Sequence, residues 1–179
     1  MKVVQVIALV FVVLVSNMSH AQIDWMTMDQ ALAAQKLEPK KIFMDVYTDW
    51  CGPCKLLDKK TFSNKKVIRY INQHYYAVKF NGEGTESVTY NNFTYTNPNY
   101  QPERKGRNAQ HFFADALKIT AYPSLVFFNE TGGVIQALPG YKSPQDLEIF
   151  LKMIATDDFK ALTTEKAWET YRNNFKGKF

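Results

Sequence analysis

The sequence is poor in cysteine. It has two in 179 residues, Cys51 and Cys54. That scarcity excludes a fold stapled by several disulfides, because these thiols can pair only with each other or with a partner. The chain also lacks an apolar run of membrane-spanning length. The longest, Val3 to Val15, is shorter than the roughly 20 residues a span requires. It lacks a strong excess of one charge: 22 Lys and Arg stand against 17 Asp and Glu, a net +5. The basic residues are scattered (Lys40-Lys41, Lys59-Lys60, Lys65-Lys66, Arg104-Lys105) and read as solvated surface, so no nucleic-acid partner is expected. Histidine is scarce too. His20, His74 and His111 show no ligand spacing near the cysteines, so nothing completes a zinc site and no metal is expected. No internal repeat or low-complexity tract is present.

The first feature that is present is a leader. Met1-Lys2 precedes the Val3–Val15 run, and Ser16-Asn17-Met18-Ser19-His20-Ala21 follows, with Ser19 and Ala21 at the small positions of a cleavage site. Residues 1–21 therefore read as a signal peptide cut after Ala21, with an uncleaved anchor as the alternative. Export places the protein in a periplasmic or secreted, disulfide-permissive compartment. No stable membrane insertion is expected once the signal is gone. Loss of Lys2 takes the net charge from +5 to +4. The remaining length and a 46% hydrophobic content suit one globular domain with a sizeable core.

The two cysteines lie in Trp50-Cys51-Gly52-Pro53-Cys54-Lys55. Lys41 to Tyr47 before them reads as a buried strand, and Cys51 to Lys60 as a helix. A C-x-x-C between a strand and a helix points to redox chemistry. At a helix N-terminus, unpaired N–H groups and the positive dipole end face Cys51 and favour its thiolate. Cys54 follows one turn later, within reach for a disulfide. Pro53 suits the first helical turn. Cys51 is then the attacking thiol and Cys54 the resolving thiol. Half of a zinc site and an inert structural disulfide are the alternatives, although so short a staple removes little chain entropy.

Along the rest of the chain, Thr27 caps a helix over Met28–Leu37 that ends at Pro39. Ser63 is the cap expected for a helix carrying Val67, Ile68 and Ile71 on one face. Tyr76–Phe80 is a strand parallel to the first. Residues 82–108 are an insert rich in Asn, Tyr, Thr, Gly and Pro, too long for an ordinary connection. Within it, Val88-Thr89-Tyr90 and Phe93-Thr94-Tyr95 can pair across Asn91-Asn92. The insert reads either as a surface excursion packed by its own aromatics or as a partner-facing loop. A helix is expected over Ala109–Leu117, strands over Ser124–Asn129 and Gly133–Leu138, and a Ser143-capped helix to about Ile154. The segment 157–179 adds an amphipathic helix around Ala167, Trp168 and Tyr171 that packs on its own domain.

In this order of elements the chain resembles the thioredoxin superfamily. Trp50-Cys51-Gly52-Pro53-Cys54-Lys55 is identical to the thioredoxin active-site sequence. Asp45, six residues before Cys51, matches the buried acid of that family, and Lys79 matches the lysine near it. Ile119-Thr120-Ala121-Tyr122-Pro123-Ser124 matches the segment with the cis-proline, and Gly140 the glycine in the loop beside the active site. The resemblance implies an α/β thioredoxin-like fold: a central mixed β-sheet flanked by helices, over residues 22–156, with the 82–108 insert before the cis-proline segment and an extra helical segment at the C-terminus. It implies that Cys51, Cys54, Asp45 and Lys79 carry the chemistry, with Asp45 taking the proton from Cys54 or else standing as a structural ion pair with Lys79. It also implies that Trp50, Gly52, Pro53, Tyr122, Pro123 and Gly140 meet the substrate. No cofactor is needed beyond the Cys51–Cys54 disulfide itself. The implied partners are disulfide-containing proteins and a membrane electron donor. Tyr122 departs from the smaller aliphatic residue of typical thioredoxins and is similar to the Tyr-Pro of disulfide isomerase domains. A reductase is the expectation. An isomerase or oxidase of the same fold, and a non-catalytic chaperone-like module using the insert and tail, are the rivals.

Overall fold

The computed structural model describes residues 22–179, so the expected signal peptide lies outside the described residues. Five strands form one mixed sheet: β1 (Trp25–Met26), β2 (Lys41–Tyr47), β3 (Tyr75–Asn81), β6 (Ser124–Phe128) and β7 (Val134–Pro139). Across the sheet the order is β1-β3-β2-β6-β7. β1 and β2 run parallel to β3, and β6 runs antiparallel to both β2 and β7. A separate hairpin, β4 (Val88–Tyr90) and β5 (Phe93–Tyr95), lies in the insert. The helices are α1 (Met28–Leu37), α2 (Gly52–Lys60), α3 (Lys65–His74), α4 (Phe112–Ala116), α5 (Pro144–Ala155) and α6 (Glu165–Asn174). The mixed α/β sheet flanked by helices is the fold that the resemblance implies.

β2 is paired on both edges and buried along nearly its whole length. Its alternating side chains feed two cores. Phe43 packs with Leu57, Ile71, Tyr75, Phe127, Leu147 and Leu151 on one face. Ile42, Met44 and Val46 pack with Phe80, Phe113, Phe128 and Met28 on the other. A strand apolar on both faces is what helix cover on both sides demands.

The helix boundaries follow local chemistry. Thr27 and Gln30 close a reciprocal capping box at α1, and Ser143 and Asp146 close another at α5, where Pro144 stands at the first helical position. The cap of α3 is Asn64, not Ser63: the Asn64 carboxamide oxygen accepts from the N–H groups of Lys66 and Val67. The Ser63 hydroxyl instead donates to the Lys59 carbonyl and closes the preceding helix. α4 is shorter than the expected 109–117. It starts at Phe112 because the His111 ring accepts from Phe113 N–H as its cap, while the Ala109 carbonyl is held by Asn97. The two-residue β1 has no counterpart among the strands expected from the sequence.

The insert is not a loop packed only on itself. Val88 and Tyr90 enter the second core, where Tyr90 meets the rings of Phe113 and Phe128. Its hydroxyl donates to the Gly132 carbonyl at 2.8 Å. Asn91 and Asn92 take φ of 51° and 62°, as a two-residue hairpin turn of this hand requires. The tail packs on its own domain: Trp168 stacks on Phe150. The buried Glu148 carboxylate accepts from the Lys178 and Phe179 N–H groups.

Because Tyr90 anchors the insert in the core, Tyr90→Ala is expected to cost about 3 kcal/mol of unfolding free energy. Tyr90→Phe, which leaves the Gly132 carbonyl without its donor, should cost about 1 kcal/mol. Urea unfolding followed by circular dichroism reads both. A loss under about 0.5 kcal/mol for Tyr90→Ala would show that the hairpin is peripheral.

Candidate active site

β2 delivers the chain to Asp49-Trp50-Cys51 at the edge of the sheet, and α2 begins immediately. Cys51 is the N-cap of α2, in extended conformation, and its sulfur accepts from the Cys54 N–H at 3.1 Å. The two cysteines form a disulfide with their Cα atoms 5.3 Å apart. Pro53 occupies the first turn of α2. The N–H directed at Cys51 Sγ distinguishes the two sulfurs: it stabilises negative charge on Cys51 when the bond opens. Gly52 and Pro53 are exposed, whereas Cys51 and Cys54 are 1% and 2% exposed. Among the described residues no group of three or more His, Cys, Asp or Glu is placed to hold a metal.

Asp45 stands two residues after Phe43 on β2 and so shares its face, the one that α2 covers through Leu57. The parallel register sets Asp45 opposite Lys79 on β3. The Lys79 ammonium bonds Asp45 Oδ2 at 2.7 Å and also pairs with Asp58 of α2. It lies 5.0–5.4 Å from the ring centroids of Trp25, Tyr47 and Phe62. Asp45 is fully buried, and its Oδ1 has no hydrogen-bond partner among the described residues. Burial pushes its carboxyl up to about 6, despite the opposing pull of Lys79. For Lys79, burial acts downward, but the two carboxylates outweigh it and hold the ammonium above its ordinary value.

The Tyr122–Pro123 peptide bond, which immediately precedes β6, is cis. The Pro123 carbonyl accepts from Gly140 N–H at 2.7 Å. This contact brings Gly140, with φ +80°, to the same edge. At that φ a side chain is strained, which accounts for glycine there. Tyr122 donates to Gln110 Oε1 at 2.8 Å and to the Gly82 carbonyl at 3.2 Å. Its ring lies so close to Gly82 that an added Cβ there would stand 2.5 Å from it. Burial, then Glu83 and Asp115, pushes the Tyr122 phenol up.

Trp50 joins these parts. Its ring meets Tyr122 edge-on at 6.1 Å. Its indole Nε1 donates to Glu83 Oε2 at 2.7 Å, and the same oxygen accepts from Asn108 N–H at 2.7 Å. The Arg107 guanidinium covers its face at 4.4 Å. A cavity of about 600 Å³ opens here, lined by Tyr47, Trp50, Lys79, Glu83, Glu86 and Arg104 among others. Gly82, Glu83, Arg107 and Gln110, at and just beyond the ends of the insert, thus hold Trp50 and Tyr122. Glu83, Asn108, Arg107 and Gln110 are absent from the sequence reading, as is Asp58. Asp58 left one signal, its place one turn beyond Cys54 on the same helix face. The insert residues left none, because their roles arise only from the fold of the loop.

Comparison with known proteins agrees with this geometry. The family model of a thioredoxin-like domain matches residues 28–155. The thiol:disulfide interchange protein DsbD 2 of Pseudomonas aeruginosa is 37% identical over 41 residues, which is 23% of this chain and 7% of that protein. A solution structure described as a candidate disulphide isomerase from Bacteroides thetaiotaomicron is 27% identical, with a TM-score of 0.50 over 74% of this chain and 88% of that one. A thioredoxin-fold protein from Helicobacter pylori aligns over 87% of this chain and 91% of its own, with a TM-score of 0.57. At 15% identity it attests the fold alone.

The raised Asp45 pKa carries a signed consequence. Between about pH 4 and about 6 the folded protein holds a proton on Asp45 that the unfolded chain has released. Stability therefore falls as pH rises through that window and is lowest above it. Asp45→Asn is expected to remove this slope and to be about 2 kcal/mol more stable than wild type at pH 7.5, read by urea unfolding of the oxidised protein at pH 4.5 and 7.5. A less stable Asp45→Asn at pH 7.5 would make Asp45 a structural ion-pair partner of Lys79.

Proposed function

Because the chain belongs to the thioredoxin-like family of disulfide oxidoreductases, we propose that it reduces protein disulfides through a Cys51–Cys54 dithiol/disulfide cycle. The observation that carries this reading is the Cys51 sulfur at the cap of α2, bonded to Cys54 and receiving its N–H. In the reduced protein the Cys51 thiolate attacks one sulfur of a substrate disulfide. The Cys51–substrate bond forms, and the other substrate sulfur leaves as a thiolate that takes a proton from solvent. Cys54, its proton passed to Asp45, then attacks Cys51. The Cys51–Cys54 bond forms, and the second substrate sulfur leaves as a thiolate that is protonated as Asp45 gives up the proton it took. The substrate gains two electrons and two protons, and the protein is left oxidised.

Trp50, Gly52, Pro53, Tyr122, Pro123 and Gly140 form the surface that meets the substrate in this reading. It is supported by the Trp50–Tyr122 ring contact and by the Gly140 N–H on the Pro123 carbonyl. The backbone beside Pro123 suits pairing with an extended polypeptide. Residues 1–21 serve as a signal for export to a periplasmic or extracellular site. There the oxidised protein is returned to its dithiol by a membrane electron donor.

The Gly-Pro pair between the cysteines supports the reducing direction. A second reading, a disulfide isomerase, is favoured by Tyr122 before Pro123 and by the likeness to the Bacteroides thetaiotaomicron structure. The reduction potential, from equilibration against glutathione or dithiothreitol buffers, separates them. A reductase is expected near the thioredoxin figure of about −270 mV, and an isomerase or oxidase at about −180 to −120 mV. In addition, Cys54→Ser should accumulate covalent mixed disulfides with partner proteins. If it captures nothing beyond a Cys51→Ser/Cys54→Ser control, the cycle is wrong. Disulfide reduction that survives Cys51→Ser would point to a binding module.

A further inference from the structure

The insert carries three acids and three bases, Glu83, Glu86 and Glu103 against Arg104, Lys105 and Arg107. Its net charge is nil, and Glu83, Glu86 and Arg104 line one cavity. Glu83 is occupied: one of its oxygens takes the Trp50 indole and the Asn108 N–H. Glu86 is half-buried, and burial followed by the nearby Asp29 favours its neutral form. Arg104, Lys105 and Arg107 stand in an exposed run, and among the described residues none of them pairs with a carboxylate. They fall within four consecutive residues. Arg107 is fixed on the ring of Trp50, the residue bonded to Cys51. The turn that bears them is held in place: the Asn108 carboxamide clasps Gln101 through both its oxygen and its nitrogen, and the Asn108 N–H is locked to Glu83. Lys55, exposed, adds a fourth cation just past Cys54. The other acids nearby are Glu103 and Asp49, and Asp49 accepts from Asn81. Lys79, on the cavity floor, is already neutralised by Asp45 and Asp58.

We propose that this cationic rim selects its partner: the polypeptide whose disulfide meets Cys51 bears acidic side chains beside its cysteine, on the flank that faces Arg104, Lys105 and Arg107. The inference rests on the thiol–disulfide reading and narrows it to a substrate class. Unpaired guanidinium and ammonium groups held beside a reaction site raise the local concentration of an anionic partner and set its orientation. Arginine suits the task, because its planar fork grips a carboxylate while its face rests on an indole.

The test uses the reduced protein and two synthetic peptides with the same cystine loop, one flanked by Asp and Glu, the other by Lys and Arg. Single-turnover rates are measured over a range of peptide concentrations. At about 20 mM salt the acidic peptide is expected to react roughly tenfold faster at sub-saturating concentration, the difference lying in half-saturation rather than in the limiting rate. At about 0.5 M salt the preference should shrink toward unity. Arg104→Ala/Lys105→Ala, which removes two exposed side chains without partners, should lose most of the preference while the reduction potential stays within error. Adding Arg107→Gln should lose the rest. Equal rates for the two peptides, a basic preference, or a preference unchanged in the triple variant overturns the rim. Failure to reduce either peptide overturns the thiol–disulfide reading, and the rim with it.

Discussion

The site depends on one junction, where β2 ends and α2 begins with Cys51 as its cap. β2 is held by β3 on one edge and β6 on the other, and both of its faces are covered. It cannot shift register without turning its apolar set to the wrong face. The start of α2 is therefore fixed in space. The Cys54 N–H in its first turn, which has no intrahelical acceptor, points at the Cys51 sulfur. A thiol on a mobile loop would have neither the donor nor the nearby second thiol.

The same register places Asp45. Its neighbour on β3 is Lys79, so the buried acid comes with a cation, and α2 supplies Asp58 to the same cation. The balance is not that of a simple ion pair. Full burial outweighs the attraction and raises the Asp45 carboxyl to about 6, the range in which the proposed transfer from Cys54 would need it.

Most of the sheet and the helices over it was legible in the sequence, because burial and period dictate them. Lys41–Tyr47 could only be a doubly covered strand, and Thr27 and Ser143 announced their helices. The Asn91-Asn92 turn also appeared in the pattern. Errors fell where two adjacent residues compete for a cap, as at Ser63 and Asn64, and where long-range hydrogen bonds hold a segment extended, as at 109–111. Of the site, the Trp50–Lys55 motif, Asp45, Lys79, Tyr122, Pro123 and Gly140 were visible as residues; the fold pairs Asp45 with Lys79, Trp50 with Tyr122, and Gly140 with Pro123. The grip of Glu83 and Arg107 on Trp50 was not. It joins residues 33 and 57 positions away from Trp50 through a loop whose path no local periodicity encodes.

The central claim, that Cys51 is the activated thiol and Cys54 the resolving one, is tested most directly by alkylating the fully reduced protein. One equivalent of iodoacetamide at pH 7, followed by peptide mass mapping, reads which sulfur reacts. The account predicts modification at Cys51 with Cys54 left free. Modification of Cys54 first, or of both equally, would contradict it.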